Sequence, residues 1–106
     1  MENWKNIDIK GIDGIEKCIA EFRIWDINRT PYAKYKVKIF EDEKGRFNGF
    51  TNLQVIDKIG SYYAAVGSGN TVEEALEDTL NYMGELLSIK EVWEESDFQC
   101  VDPFDF

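Results

Sequence analysis

Carboxylates are the side chains of this sequence that could do chemistry, and half of them fall in its last third. Residues 71–106 carry eleven Asp or Glu against the single Lys90, whereas residues 1–70 carry ten against eleven Lys or Arg. An electric field of this sign repels nucleic acid, attracts basic protein surfaces and speeds encounters with them. Acidic residues also increase solubility, so a merely solvated surface is the alternative interpretation.

Catalysis finds little support among these residues. The chain has no histidine, which removes the usual general base, the Ser–His and Cys–His pairs and the commonest metal ligand. No calcium loop of the form D-x-D-x-D-G occurs. The stretch "GSGNT" at 67–71 lacks the lysine of a phosphate-binding P-loop, and two glutamates follow it. We therefore predict a protein that is not an enzyme, with no catalytic residue, cofactor or metal; carboxylate catalysis is the weakest hypothesis.

Aromatic rings among carboxylates instead predict a protein-binding surface, because rings supply buried contact and carboxylates supply steering. They are concentrated in "WEESDFQCVDPFDF", Trp93 to Phe106. Three interpretations of this segment stay open: a strap docked on the domain, a strap that also contacts a partner, and a disordered tail, which its many rings disfavour. The candidate partner-binding residues are Glu73, Glu77, Asp78, Glu85, Trp93, Glu94, Glu95, Asp97, Phe98, Asp102, Phe104 and Asp105.

A helix should position the first of these carboxylates. Thr71 followed by Glu74 forms the pattern of a capping box. Apolar residues then recur at three- and four-residue spacing, and the remaining face is acidic. We predict a long helix over residues 71–89.

Alternating apolar and polar residues predict strands before the helix. The pattern holds in "CIAEFRIW", "YKVKIF" and "RFNGFTNLQVI", with glycine turns between the later strands, and the small residues of "SYYAAVG" would let a helix pack closely. The prediction is a single α+β domain over residues 1–106. A meander of about four antiparallel strands over 16–67 follows an irregular lead-in or short strand over 1–15. One long helix packs on one face of the sheet, and an extended C-terminal strap covers 91–106.

The same sequence suggests a cytoplasmic protein. No apolar run is long enough to span a membrane, and "MENWKNIDIK" does not resemble a secretory signal. Without such a signal, Cys18 and Cys100 are expected to be reduced thiols.

The stretch "YYAAVGSGNTVEEALEDTLNYM", residues 62–83, resembles the strand-to-helix unit of HicB-type antitoxin domains. The tail "DFQCVDPFDF" departs from that pattern, and no DNA-binding segment follows. In layout, size and acidity the chain is similar to small cytoplasmic immunity proteins of bacteria, which neutralise toxins of contact-dependent inhibition and other polymorphic toxin systems. The resemblance implies a stoichiometric binder of a toxin, often a basic nuclease.

The functional hypothesis is therefore a non-catalytic immunity or antitoxin-like protein that neutralises a basic toxin domain through its acidic third. The alternative is a phage-type nucleic-acid mimic such as an anti-CRISPR inhibitor, which would also bind in a salt-sensitive way. We predict a basic protein partner and binding to neither nucleic acid nor a membrane. An exposed strand edge could also pair two copies of the chain.

Overall fold

The structure, a computed structural model, describes residues 3–106. In chain order its elements are a 3₁₀ turn at Trp4–Asn6, β1 at Lys17–Trp25, β2 at Lys34–Glu41, β3 at Phe47–Ile56, β4 at Tyr62–Gly69, α1 at Val72–Leu87, a second 3₁₀ turn at Glu95–Asp97 and β5 at Phe98–Cys100. Residues 3–15 of the predicted lead-in form no strand, and the lead-in's first two residues lie outside the described range. No helix within residues 3–106 is both long enough and apolar enough to cross a membrane.

The α+β prediction is confirmed. The antiparallel sheet has the order β1-β2-β3-β4, and the helix packs on one face. We call this the inner face and the opposite one the outer face. Tyr35, Val37 and Ile39 are buried on the inner face, as their alternation with Lys36 and Lys38 predicts.

The predicted helix cap is present, but one of its two hydrogen bonds differs from that of a standard capping box: Glu74 bonds the amide one residue before the N-cap. Thr71 Oγ1 accepts a hydrogen bond from the Glu74 amide at 3.1 Å. The Glu74 carboxylate accepts from the Asn70 amide at 3.0 Å rather than from the amide of Thr71. The helix ends at Leu87, two residues before the predicted end. There the Ser88 hydroxyl donates to the Glu85 carbonyl at 2.7 Å, a carbonyl that a further turn of helix would have used.

The helix lies close to the sheet because glycines face it. Thr79 of α1 is fully buried and lies directly over Gly49 of β3 and Gly67 of β4. A side chain at either glycine would occupy the space that Thr79 fills. Close approach at this crossing fixes where the exposed face of the helix points.

A bulge in β3 opens the place that the strap occupies. Between the pairs Phe50–Val66 and Gln54–Ala64, β3 contains two residues more than β4. The Thr51 hydroxyl fills this irregularity, accepting from the Ala65 amide at 3.0 Å and donating to the Leu53 carbonyl at 2.7 Å. A bulge bends and twists its strand, and the pairing of β2 with β3 ends here.

The strand β5 pairs with the part of β3 that extends beyond its pairing with β2. β2 pairs with residues 47–51 of β3, and β5 pairs with residues 53–55. The opposite edge of β3 is occupied by β4, so β2 and β5 share one side. Asn52 lies where β3 changes its partner from β2 to β5. Its side-chain Oδ1 accepts a hydrogen bond from the Lys36 amide at 2.8 Å, and its main-chain carbonyl accepts one from the Val101 amide at 2.7 Å. The strap is thus docked within the sheet.

Candidate partner-binding surface

The exposed face of α1 carries a line of carboxylates without a neutralising cation. Glu73, Glu77 and Glu85 are all exposed, and they lie on the side of the helix opposite its buried residues. No Lys or Arg within residues 3–106 forms an ion pair with any of them. At 1.5 Å rise per residue the line extends about 18 Å. We call these three residues the acidic stripe.

Asp78, a fourth predicted residue on this helix, forms a hydrogen bond with β4. Its Oδ2 accepts a hydrogen bond from the Ser68 amide at 2.9 Å, which ties the helix to β4. Arg46 lies nearby, donating to Asn70 Oδ1 at 3.1 Å and lining a shallow cleft together with Glu77 and Asp78. Asp78 is therefore an unsuitable position for testing charge alone.

The first rings of the strap anchor it to the domain. Trp93 Nε1 donates to the Leu87 carbonyl at 3.0 Å, which satisfies a helix-terminal acceptor. The Trp93 and Phe98 ring centroids lie 5.3 Å apart, and Phe98 is only 8% exposed. The Tyr62 hydroxyl donates to the Ser96 carbonyl at 2.8 Å. Phe98, one of the predicted partner-binding residues, packs in the hydrophobic core.

Asp97 is also enclosed by the strap rather than available to a partner. It is 7% exposed; its Oδ1 accepts from Lys90 Nζ at 2.8 Å and its Oδ2 from the Glu94 amide at 2.9 Å. The hydrogen bond from Lys90 and the one from the Glu94 amide hold the pKa of Asp97 below its ordinary value of 3.8. The only cation of the last third is thus bound to a buried acid.

Removing the Asp97 charge should change how the free energy of unfolding depends on pH. Because its pKa is depressed in the folded state, the carboxylate stabilises the fold above the unfolded pKa, and that contribution is lost as pH falls through the folded pKa. We expect Asp97→Asn to be less stable than the wild type near neutral pH, with the difference shrinking between about pH 5 and pH 2. Urea unfolding at several pH values measures it. Asp105→Asn, on an exposed strap carboxylate, is the control and should show no such convergence.

The end of the strap lies on the outer face of the sheet. The Phe106 ring meets the Phe50 ring edge-on at 5.6 Å and lies 4.4 Å from Lys38 Nζ, which donates to the Phe106 main-chain oxygen at 3.1 Å. A turn between Asp102 and Phe106 precedes this contact. Phe104 within the turn is 95% exposed, and Asp102 and Asp105 are exposed as well.

The twelve predicted residues therefore do not form one surface. The acidic stripe lies along the exposed face of α1, whereas Glu94 and Glu95 are exposed in the segment that follows the helix and line a cleft with residues 28–31. Asp102, Phe104 and Asp105 lie on the outer face, and Trp93, Asp97 and Phe98 hold the strap in place.

Other apolar side chains accompany the acidic stripe. Tyr82, Ile89 and Val92 are exposed, the first on α1 itself and the other two just after its end. Tyr82 is not among the buried residues of α1, and Ile89 follows the end of the helix at Leu87, two residues before the predicted end. These three exposed apolar side chains lie on the last turns of α1 or within five residues of its end.

Comparison with known proteins adds no family assignment. No protein-family model, curated protein sequence or solved structure matches the chain. Within residues 3–106, no three or more Cys, Asp or Glu side chains are grouped so as to hold a metal ion.

Proposed function

We propose that this chain is a non-catalytic immunity or antitoxin-like protein that binds and neutralises a basic toxin domain through the helix side of the molecule. The observation that carries the proposal is the acidic stripe, Glu73, Glu77 and Glu85, which has no neutralising cation within residues 3–106. Lys90, the one cation of the last third, is bound to Asp97. Arg46 lines a cleft with Glu77 but forms no ion pair with it, so the three carboxylates of the stripe are without an ion-pair partner in the described residues.

The proposed interface combines electrostatic attraction of a basic partner with a small area of apolar contact. Exposed like charges attract a basic partner over a Debye length and raise its association rate. Tyr82, Ile89 and Val92 supply the apolar contact that protein interfaces bury at their centre. The interface is thus smaller than the whole acidic third and excludes the buried anchors of the strap.

Charge reversal on the acidic stripe tests the proposal. The toxin domain is to be sought among the products of the neighbouring genes. We expect Glu77→Lys/Glu85→Lys to slow association with it by about tenfold or more at low salt, with a smaller effect at high salt. Both positions are exposed, so the free energy of unfolding should stay within about 0.5 kcal/mol of the wild type. Stopped-flow association and growth protection during toxin co-expression are the measurements.

The matched control is Asp8→Lys/Asp13→Lys, which changes the net charge equally on the exposed lead-in. If both double variants slow association to the same extent, the effect comes from total charge and the stripe is not the interface. A wild-type protein that neither binds the adjacent toxin nor protects growth would contradict the proposed function itself.

The regular spacing of the acidic stripe also suits the alternative, a nucleic-acid mimic. Glu73 and Glu77 are one helical turn apart, about 6 Å along the axis, and neither forms an ion pair with a residue in the range 3–106. A mimic would occupy the nucleic-acid site of its target, so DNA or RNA would compete with it. Binding that persists with nucleic acid saturating the target excludes this alternative.

A further inference from the structure

The strand β1 ends the sheet with an open edge. Nothing within residues 3–106 pairs with β1 on the side away from β2. The opposite edge strand, β4, is partly closed, because α1 packs against it and the Ser68 amide donates to Asp78. An open edge of nine residues is a template for pairing with another strand.

We propose that two copies of this chain associate through β1, antiparallel about a two-fold axis at Phe22, so that the two sheets become one. Such an axis is perpendicular to the sheet, so the inner faces of the two copies lie on the same side of the combined sheet. Phe22 then lies opposite Phe22 of the second copy, and Glu21 lies opposite Arg23 of the second copy. This interface uses neither the acidic stripe nor the strap, so it does not depend on the proposed function.

The register is set by charge. Centring the axis one residue earlier would oppose Glu21 to itself, and centring it one residue later would oppose Arg23 to itself. Like charges directly opposed across strands are destabilising, whereas opposite charges are stabilising. Of the three registers, the one at Phe22 alone forms two Glu–Arg pairs.

Arg23 needs such a partner. Its neighbour across the β1–β2 pair is Lys36, a like charge, and the Arg23 side chain makes no ion pair or hydrogen bond within residues 3–106. Glu21 has only a distant pair with Lys36, at 3.7 Å. Glu21 of the second copy would place a carboxylate beside Arg23 on its open side.

The inner face of β1 fits the same register. Ala20, Phe22 and Ile24 are half-buried beside the core, since α1 packs mainly over β4 and β3. In the proposed dimer Ala20 lies beside Ile24 of the second copy, and the two Phe22 rings meet at the axis. Further along the outer side, Trp25 is 61% exposed and would lie opposite Ile19 of the second copy, which is itself exposed and lies at the bulge of β1. Burying these apolar groups supplies the driving force for pairing.

Sedimentation velocity of the full chain without any partner tests the proposal. We expect a concentration-dependent dimer of the 12.3 kDa chain. Arg23→Glu should raise the dimer dissociation constant about tenfold or more, because it replaces two attractive pairs with two repulsive ones. The exchange Glu21→Arg/Arg23→Glu restores both pairs and should return the constant to within about threefold of the wild type. Lys58→Glu, in the exposed turn after β3, is the control and should have no effect.

A monomer at all concentrations would overturn the proposal, and so would a dimer that Arg23→Glu leaves unchanged or that the charge exchange fails to restore. Circular dichroism of each variant separates a lost dimer from a lost fold.

Cysteine cross-linking tests the register independently. With the exposed thiols of Cys18 and Cys100 replaced by serine, Phe22→Cys should form an intermolecular disulfide, because directly opposed Cα atoms lie about 4.5–5.5 Å apart. Ala20→Cys should not, since its two copies would be about 13 Å apart along the strands. Cross-linking at residue 20 instead of 22, or at neither, would overturn the register at Phe22.

Discussion

Gly67→Ala is expected to destabilise the protein by about 3 kcal/mol, the upper part of the range for overpacking. A Cβ atom at this position would lie 2.6 Å from Thr79 Oγ1 and 2.8 Å from the Asp78 carbonyl carbon, and closer still to the Thr79 amide nitrogen. Two of these three atoms belong to the helix backbone, so relief requires α1 to move away from β4. That movement would also separate Thr79 from Gly49.

The matched substitution is Gly84→Ala on the helix itself. Apart from its chain neighbours and the adjoining helix backbone, no atom lies within 4 Å of a Cβ built there, and alanine is favoured over glycine in a helix interior by about 0.5–1 kcal/mol. We therefore expect Gly84→Ala to raise the free energy of unfolding and Gly67→Ala to lower it, both measured by urea denaturation. Equal effects of the two substitutions would contradict the close crossing of helix and sheet.

Local patterns were enough to predict the main elements. The alternation around Tyr35, Val37 and Ile39 gave β2 and its buried face, and Thr71 with Glu74 gave the start of α1. The small residues before the helix predicted close packing, and the structure identifies Gly67 as the contact. Each of these predictions depends on neighbours in sequence, whose periodicity reports directly on burial.

The place of the strap could not be predicted in this way. It depends on the bulge in β3, where Thr51 and Asn52 supply side-chain hydrogen bonds in place of backbone ones. Nothing in the alternation of "RFNGFTNLQVI" distinguishes a bulged strand from a regular one. The same limit applies to the candidate site. Asp97 and Asp105 are similar in sequence context, and Asp97 is buried because the folded strap encloses it with Lys90 and the Glu94 amide as hydrogen-bond partners. Lys90, isolated among acids, was the one available signal that a nearby carboxylate would be paired.

Phe98→Ala is expected to lower the free energy of unfolding by about 3–5 kcal/mol, the usual cost of removing a buried phenylalanine. The Phe98 side chain is 8% exposed and packs against Trp93, and its residue pairs with Val55 in the sheet. Without this ring the strap should open locally, and exchange of the Val101 amide, bonded to Asn52, should accelerate. Denaturation and amide hydrogen exchange measure the two effects.

Phe104→Ala provides the control within the same strap. Phe104 is 95% exposed, so its removal should change stability by no more than about 0.5 kcal/mol and leave Val101 exchange unaltered.

The two variants also distinguish the structural role of the strap from a role in binding. If Phe104→Ala weakens toxin binding while stability is unchanged, the outer-face turn belongs to the interface, and the helix side alone is insufficient. If Phe98→Ala abolishes binding without loss of stability, Phe98 is a partner contact and the docked strap is contradicted.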